Sequence, residues 1–207
     1  MNGDLLAHGI AKLGLSVPEA TQHRLLDYLA LVEKWNRVFN LTAVRDPKDM
    51  LYRHLLDSLA IVPYVSARLA LDVGSGAGFP GIPLAMVRPQ TQVTLLDSSQ
   101  KKTAFLQQTA IELGLTNITV VCKRVESWWP ERRFDLVISR AFSGLSEFAE
   151  AAGRLCAVNG ILAAMKGVYP HEELAQLPPK FKLERVISLT VPGLSEARHL
   201  VLLRPAH

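Results

Sequence analysis

The chain is poor in cysteine. Cys122 and Cys156 are the only two among 207 residues, and no Cys-x-x-Cys pair occurs. That gives little support to a disulfide framework or a zinc site and fits a reducing compartment, so a cytoplasmic protein without a metal is expected. No apolar run approaches about 18 residues, so no membrane span is expected. The opening MNGDLLAHGIAKLG carries Asp4 and no basic segment ahead of a long apolar stretch, so no secretory leader is expected. Repeats and low-complexity tracts are missing. Charge of one sign is also scarce in excess: 23 Lys and Arg against 19 Asp and Glu leave +4. Such a balance permits a polyanionic partner without requiring one. Apolar residues are plentiful at 49%, which supports a large core and argues against disorder. The length suits one α/β domain with an appendage.

The first third reads as helix. In SVPEATQHRLLDYLALVEKWNRVFN, Ser16 is the expected cap, Pro18 sits near the first helical position, and Leu25, Leu29 and Val32 recur at helical spacing. In RDPKDMLYRHLLDSLAIV, Asp46 is the expected N-cap, Pro47 the first helical residue and Asp49 an acid in the first turn. From Leu69 onward short apolar strands alternate with helices: LALDV, QVTLLD, ITVVCKRV, FDLVIS and GILAAMKG are the strands. That alternation predicts a mostly parallel sheet covered on both faces. GLSEFAEAAGRLCA reads as one helix, closed near Asn159-Gly160, with Cys156 in its core side and Cys122 buried in the third strand. The tail predicts an antiparallel pair, 185–191 with 198–203, around Pro192-Gly193. The expected organisation is a helical cap over 1–66 integrated with a core over 67–207.

LDVGSGAGFPGIPLA places Gly74, Gly76, Gly78 and Gly81 directly after the first sheet strand. Ligands in open parallel sheets bind at the carboxyl ends of the strands, and bare backbone there allows close approach. Asp97 ends the second strand, where a carboxylate accepts both hydroxyls of a cofactor ribose or caps the following helix. The spacing is Gly-x-Gly-x-Gly, not that of a pyrophosphate binder, and no Gly-Lys-Ser/Thr follows. A nucleoside cofactor without phosphates fits best, which points to S-adenosylmethionine.

Arg140 follows the fourth strand and is the positioning candidate: it binds a cofactor carboxylate, donates to guanine O6, or forms a surface ion pair. Glu126, after the third strand, accepts from an adenine amine or starts a helix. Lys166 meets a phosphate or is solvated, and Arg198 lies where it approaches RNA or not. His54 and Asp57, three apart on one helical face, read as a structural pair. Lys101-Lys102, Lys123-Arg124 and Arg132-Arg133 read as a phosphate-binding surface or as solvated faces. The target atom follows by exclusion. No Asp/Asn-Pro-Pro-Tyr/Phe tetrad for amine methylation follows the fourth strand, which continues Ser139-Arg140-Ala141-Phe142. Neither cysteine is placed as a nucleophile for carbon methylation. Asp135 stands at the wrong end of its strand for ribose methylation. A nucleophile that needs no deprotonation, such as guanine N7, remains.

Together LDVGSGAGFPGIPLA, NLTAVRDP, RHLLDSLA, LLDSSQKKTAFL, VISRAF and MKG resemble the small-subunit ribosomal RNA guanine-N7 methyltransferases, once called glucose-inhibited division protein B, from about Trp35 to Leu203. The resemblance implies a Rossmann-like class I methyltransferase fold and S-adenosylmethionine as donor. It implies methylation of N7 of one guanine in bacterial 16S ribosomal RNA; the expected setting is the small ribosomal subunit, with the enzyme a monomer and no DNA partner. It also implies cofactor contacts at Gly74, Phe79, Val125, Glu126 and Arg140, with Phe79 standing where the family often has leucine. Two other readings share the glycine loop: a small-molecule methyltransferase and a nucleotide-sensing protein without catalysis. Neither has a reason to carry NLTAVRDP or RHLLDSLA.

Overall fold

The protein is described by a computed structural model covering residues 2–142 and 144–206. Helices α1 (Asn2–Lys12) and α2 (Glu19–Phe39) come first. Pro18, not Ser16, is the N-cap of α2; its carbonyl accepts Thr21 N–H at 2.9 Å and Gln22 N–H at 3.0 Å, and Ser16 is left in the extended lead-in. Asp46 caps α3 (Pro47–Met50) as its sequence requires, accepting from the backbone of Lys48 and Asp49. That cap is worth about 1 kcal/mol.

The expected continuous helix then loosens. Leu51–Leu56 is a π-helical turn, followed by α4 (Asp57–Leu59). Such turns concentrate at functional sites because they re-aim side chains, and this one carries Arg53 and His54.

Strands β1 (Leu69–Val73), β2 (Gln92–Asp97), β3 (Ile118–Cys122), β4 (Phe134–Ser139), β5 (Cys156–Lys166), β6 (Phe181–Leu189) and β7 (Arg198–Pro205) form one sheet in the order 3-2-1-4-5-7-6. The first five are parallel, and β7 is antiparallel to both β5 and β6. Helices α5 (Gly81–Val87), α6 (Gln100–Glu112), α7 (Leu145–Ala152) and α8 (His171–Ala175) complete the chain.

Side chains of a strand alternate between faces, and both faces of this sheet are apolar. Leu71 and Val73 pack with Phe148, Val137 and Leu162 on one side. Ala70 packs on the other with Leu25, Leu55, Ile82 and Phe105, so the N-terminal helices share a core with the sheet. Two glycines are fixed by close approach. A Cβ on Gly81 would lie 2.3 Å from Leu95 and 2.7 Å from Asp72 Oδ2, so α5 can sit this low over β1 and β2 only without one. Gly74 has φ +72° and a Cβ there would lie 2.7 Å from that of Ala141.

Two expectations fail. Helix α7 stops at Ala152 and the chain continues as a 3-10 turn over Gly153–Leu155, so Cys156 opens β5 instead of lying in a helix. Cys122 is exposed, since β3 is the edge strand, whereas Cys156 is buried and its thiol is pushed up to about 12 by burial.

Candidate functional site

The carboxyl ends of β1, β2 and β4 open into a cleft of about 390 Å³. It is lined by Val73 and Gly74, by Leu96 and Asp97, by Val125 and Glu126, and by Ala141 and Phe142. The turn is built by its own backbone. Gly74 and Ser75 donate to the Leu96 carbonyl at 2.8 and 3.1 Å, and Gly78 donates to Ser75 at 2.7 Å. Asp97 then ties the turn to the neighbouring helix. Its Oδ2 accepts Gly76 N–H at 2.9 Å, and its Oδ1 accepts Ser99 N–H at 2.8 Å. Ser99, not Asp97, caps α6. A carboxylate has about four acceptor sites, so Asp97 keeps capacity for further donors in the cleft. The Lys102 ammonium stands 3.9 Å away.

A second cleft of about 390 Å³ lies beside it, around the ends of β4 and β5 and the start of β7. Its centre is Asp57, buried at 3% exposure. Arg140 Nη1 donates to Asp57 Oδ2 at 3.3 Å, and Arg198 Nε donates to Oδ1 at 3.2 Å. Burial raises the Asp57 pKa, and the two guanidinium groups oppose that rise. Arg140 also donates to the Arg53 carbonyl at 3.2 Å and lies 5.4 Å from the Phe79 ring centroid. His54 is not paired with Asp57, whose oxygens serve the arginines. His54 Nδ1 faces the Arg53 carbonyl at 3.0 Å and therefore carries the proton; Nε2 accepts from Thr42 Oγ1 at 2.7 Å. Burial, then Arg140, lowers the His54 pKa to about 4, so the ring is neutral at pH 7.

The sequence-predicted residues therefore divide. Gly74, Asp97, Val125 and Glu126 meet in the first cleft. Arg140, Lys166 and Arg198 meet in the second. Gly76 acts through its bond to Asp97. Phe79 lies beneath, 3% exposed, with ring centroids 5.1 Å from Tyr28 and 4.9 Å from His54. Lys166 is held by Glu173 at 2.8 Å. The basic doublets divide too: 101–102 and 123–124 follow β2 and β3 at the cleft edge, whereas 132–133 precedes β4 at the opposite edge of the sheet. Tyr28, Thr42 and Arg53 were not flagged by sequence. Tyr28 donates to the Ala77 carbonyl at 2.6 Å, so α2 of the cap holds the glycine turn from outside. Arg140 and Ala141 are consecutive, yet one lines the second cleft and the other the first. The two clefts meet at the end of β4.

The GidB family model, described as rRNA small subunit methyltransferase G, matches residues 21–201. The chain belongs to this family. Curated proteins named ribosomal RNA small subunit methyltransferase G agree with it over nearly their whole length. The one from Nitrosospira multiformis is 56% identical over 97% of this chain and 96% of its own. The one from Laribacter hongkongensis is 54% identical over 96% of each. As a family member the chain is an enzyme that transfers methyl groups. Among solved structures it is similar to a SAM-dependent methyltransferase from Aquifex aeolicus (TM-score 0.58, 21% identity, 76% of this chain and 93% of that one). It is also similar to the O-methyltransferase TomG from Streptomyces achromogenes in complex with SAM (TM-score 0.56, 18% identity, 87% and 90%). At that identity the likeness is one of fold, and it agrees with the Rossmann-like α/β sheet.

Proposed function

We propose that the enzyme methylates N7 of one guanine in 16S ribosomal RNA, with the cofactor in the first cleft and the guanine in the second. The donor is S-adenosylmethionine, and the first cleft fits it. Its volume lies within the roughly 300–1,000 Å³ of small-molecule sites. Asp97 has acceptor sites left for ribose hydroxyls, Glu126 accepts from the adenine amine, and Val125 offers an apolar contact. When bound, the donor supplies an electrophilic methyl group on a sulfonium.

One observation carries the choice of N7. Of the three groups in the second cleft that resemble a catalytic base, the two beside Arg140 are both engaged, and the third, His199, directs Nδ1 to the Gly167 carbonyl at 3.1 Å. His54 has a partner on each ring nitrogen, and Asp57 gives an oxygen to each of two arginines. Guanine N7 has a free lone pair, so the S–C bond breaks and the N–C bond forms with no proton removed. Arg140 and Arg198 present planar donors suited to guanine O6. Methylation places positive charge on the ring, and the buried Asp57 carboxylate offsets the two arginines that would oppose it. Much of the enzyme's contribution is then positioning and charge management.

Both clefts are completed by residues of one chain, which supports action as a monomer. The basic doublets at the cleft edge support binding of a phosphate backbone, and membership of a ribosomal RNA methyltransferase family supports folded RNA of the small subunit, in the cytoplasm, over DNA. The sharing of one core by the N-terminal helices and the sheet supports reading 1–66 as an integral cap on the 67–207 core. No helix among the described residues is long and apolar enough to cross a membrane. The test is mass spectrometry of 16S RNA from cells with and without the gene, and of small subunits from the deletion strain after incubation with purified enzyme and donor. One 7-methylguanosine restored by the enzyme is expected. A different methylated nucleoside, or none on the RNA, would overturn the reading.

A further inference from the structure

Beside the second cleft, and joined to it through His199, stands an aromatic cluster with no part in the chemistry above. Past Lys166 the chain runs through Gly167, Val168, Tyr169 and Pro170 into α8. Val168 is 75% exposed and Tyr169 is 42% exposed, and Tyr169 belongs to neither apolar core. Yet the ring is held. Its centroid lies 4.2 Å from that of His171 and 5.6 Å from that of His199, the latter edge-on. His199 sits opposite Lys166 in the β5–β7 ladder, contacts the Gly167 carbonyl through Nδ1 at 3.1 Å, and lines the cleft with Arg140 and Arg198. The loop is pinned at both ends through Glu173 of α8. That carboxylate binds Lys166 Nζ at 2.8 Å and accepts the Leu145 N–H, at the start of α7, at 2.7 Å.

We propose that Tyr169, backed by His171 and His199, is a stacking platform for the base of a nucleotide adjacent to the target guanine. The inference rests on the second cleft being the guanine site. The major groove of an RNA helix is too deep and narrow for side chains to enter, so a guanine whose N7 reacts must be unstacked and exposed. Unstacking leaves the neighbouring base without a partner, and an aromatic ring beside the cleft supplies one. Arg53, Arg140 and Arg198, set against Asp57 and Glu196, leave the cleft beside it with an excess of positive charge for RNA. Because every base has a π face, the platform contributes affinity and register and does not read the neighbour's identity.

The test uses the full-length enzyme and small ribosomal subunits from cells lacking the gene. Initial methylation rates are measured for wild type, Tyr169→Ala, Tyr169→Phe and Tyr169→Trp, against both subunit and donor concentration. Tyr169→Ala is expected to raise KM for subunits about tenfold, with KM for S-adenosylmethionine and the melting temperature unchanged. Phe and Trp are expected to restore the wild-type value. A wild-type KM for subunits in Tyr169→Ala, or Phe and Trp variants as impaired as Ala, would overturn the platform. The wild-type arm separates the two levels. Failure of wild type to form 7-methylguanosine removes the guanine reading itself, whereas an active wild type matched by Tyr169→Ala removes only the platform.

Discussion

Replacing Arg140 by lysine keeps the charge and removes the fork. Arg140 now does three things at once: Nη1 donates to Asp57 Oδ2 at 3.3 Å and to the Arg53 carbonyl at 3.2 Å, while the guanidinium plane lies 5.4 Å from the Phe79 centroid. A lysine ammonium can reach one acceptor but has no plane to lay over Phe79. Each hydrogen bond from a charged group is worth about 1.5–3 kcal/mol, and at these long distances the lower end applies. The contact over the ring adds about 0.5–1 kcal/mol. Loss of one bond and the ring contact therefore costs the site about 2 kcal/mol of orientation, or roughly thirtyfold in kcat/KM. The fold should tolerate the change, because Asp57 keeps Arg198 as a partner. A loss of about 1 kcal/mol in stability would lower Tm by about 2–4 °C for a chain of this size. The assay is the initial rate of methylation of small subunits from a deletion strain, alongside thermal melting. Full activity in Arg140→Lys would refute the reasoning and reduce this arginine to a structural ion pair.

Asp97→Ala removes the acceptor of two backbone N–H groups and the proposed ribose contact, so calorimetry should show S-adenosylmethionine binding weakened at least about tenfold, the equivalent of about 1.4 kcal/mol; unchanged affinity would exclude the ribose role. His54 has its pKa lowered from 6.5 to about 4, so the folded state disfavours the proton that the unfolded chain accepts. Its contribution, about 3 kcal/mol, is complete above pH 6.5 and is lost as pH falls toward 4; His54→Asn should flatten the fall of Tm across that window, and an unchanged slope would contradict it. Affinity for subunit RNA should fall steeply with salt, by roughly 0.7–0.9 in log slope per phosphate neutralised, while cofactor affinity changes little; filter binding across a salt series that shows a flat RNA response would make the basic doublets ordinary surface.

The sheet was largely legible because its signals are local. Non-alternating apolar runs, a glycine turn after LALDV and a carboxylate after QVTLL each need only neighbouring residues to be read. The C-terminal pairing was legible for the same reason. What stayed hidden depends on contacts distant in sequence. Arg140 meets Asp57 across 83 positions, and Arg198 meets it across 141. Nothing in a window of RHLLDSLA distinguishes an aspartate that receives two arginines from one that pairs with the histidine three residues earlier. The close seat of the Phe181 ring against Gly153 is of this kind as well. Tyr169 gave no pattern at all, because its place near the cleft is visible only when β7 brings His199 beside it.

The place of β7 ties activity to the order of synthesis. The last strand in sequence, Arg198–Pro205, is not the last in the sheet; it fills the gap between β5 and β6 and brings Arg198 to Asp57. A nascent chain emerging from the ribosome can build β1 to β5 and bury much of its core while that gap stands open. Its second cleft lacks one arginine until β7 has left the exit tunnel and entered that gap. Loss of β7 would therefore detach β6 from the sheet and leave Asp57 with one arginine, an interrupted sheet and not a slightly shorter protein.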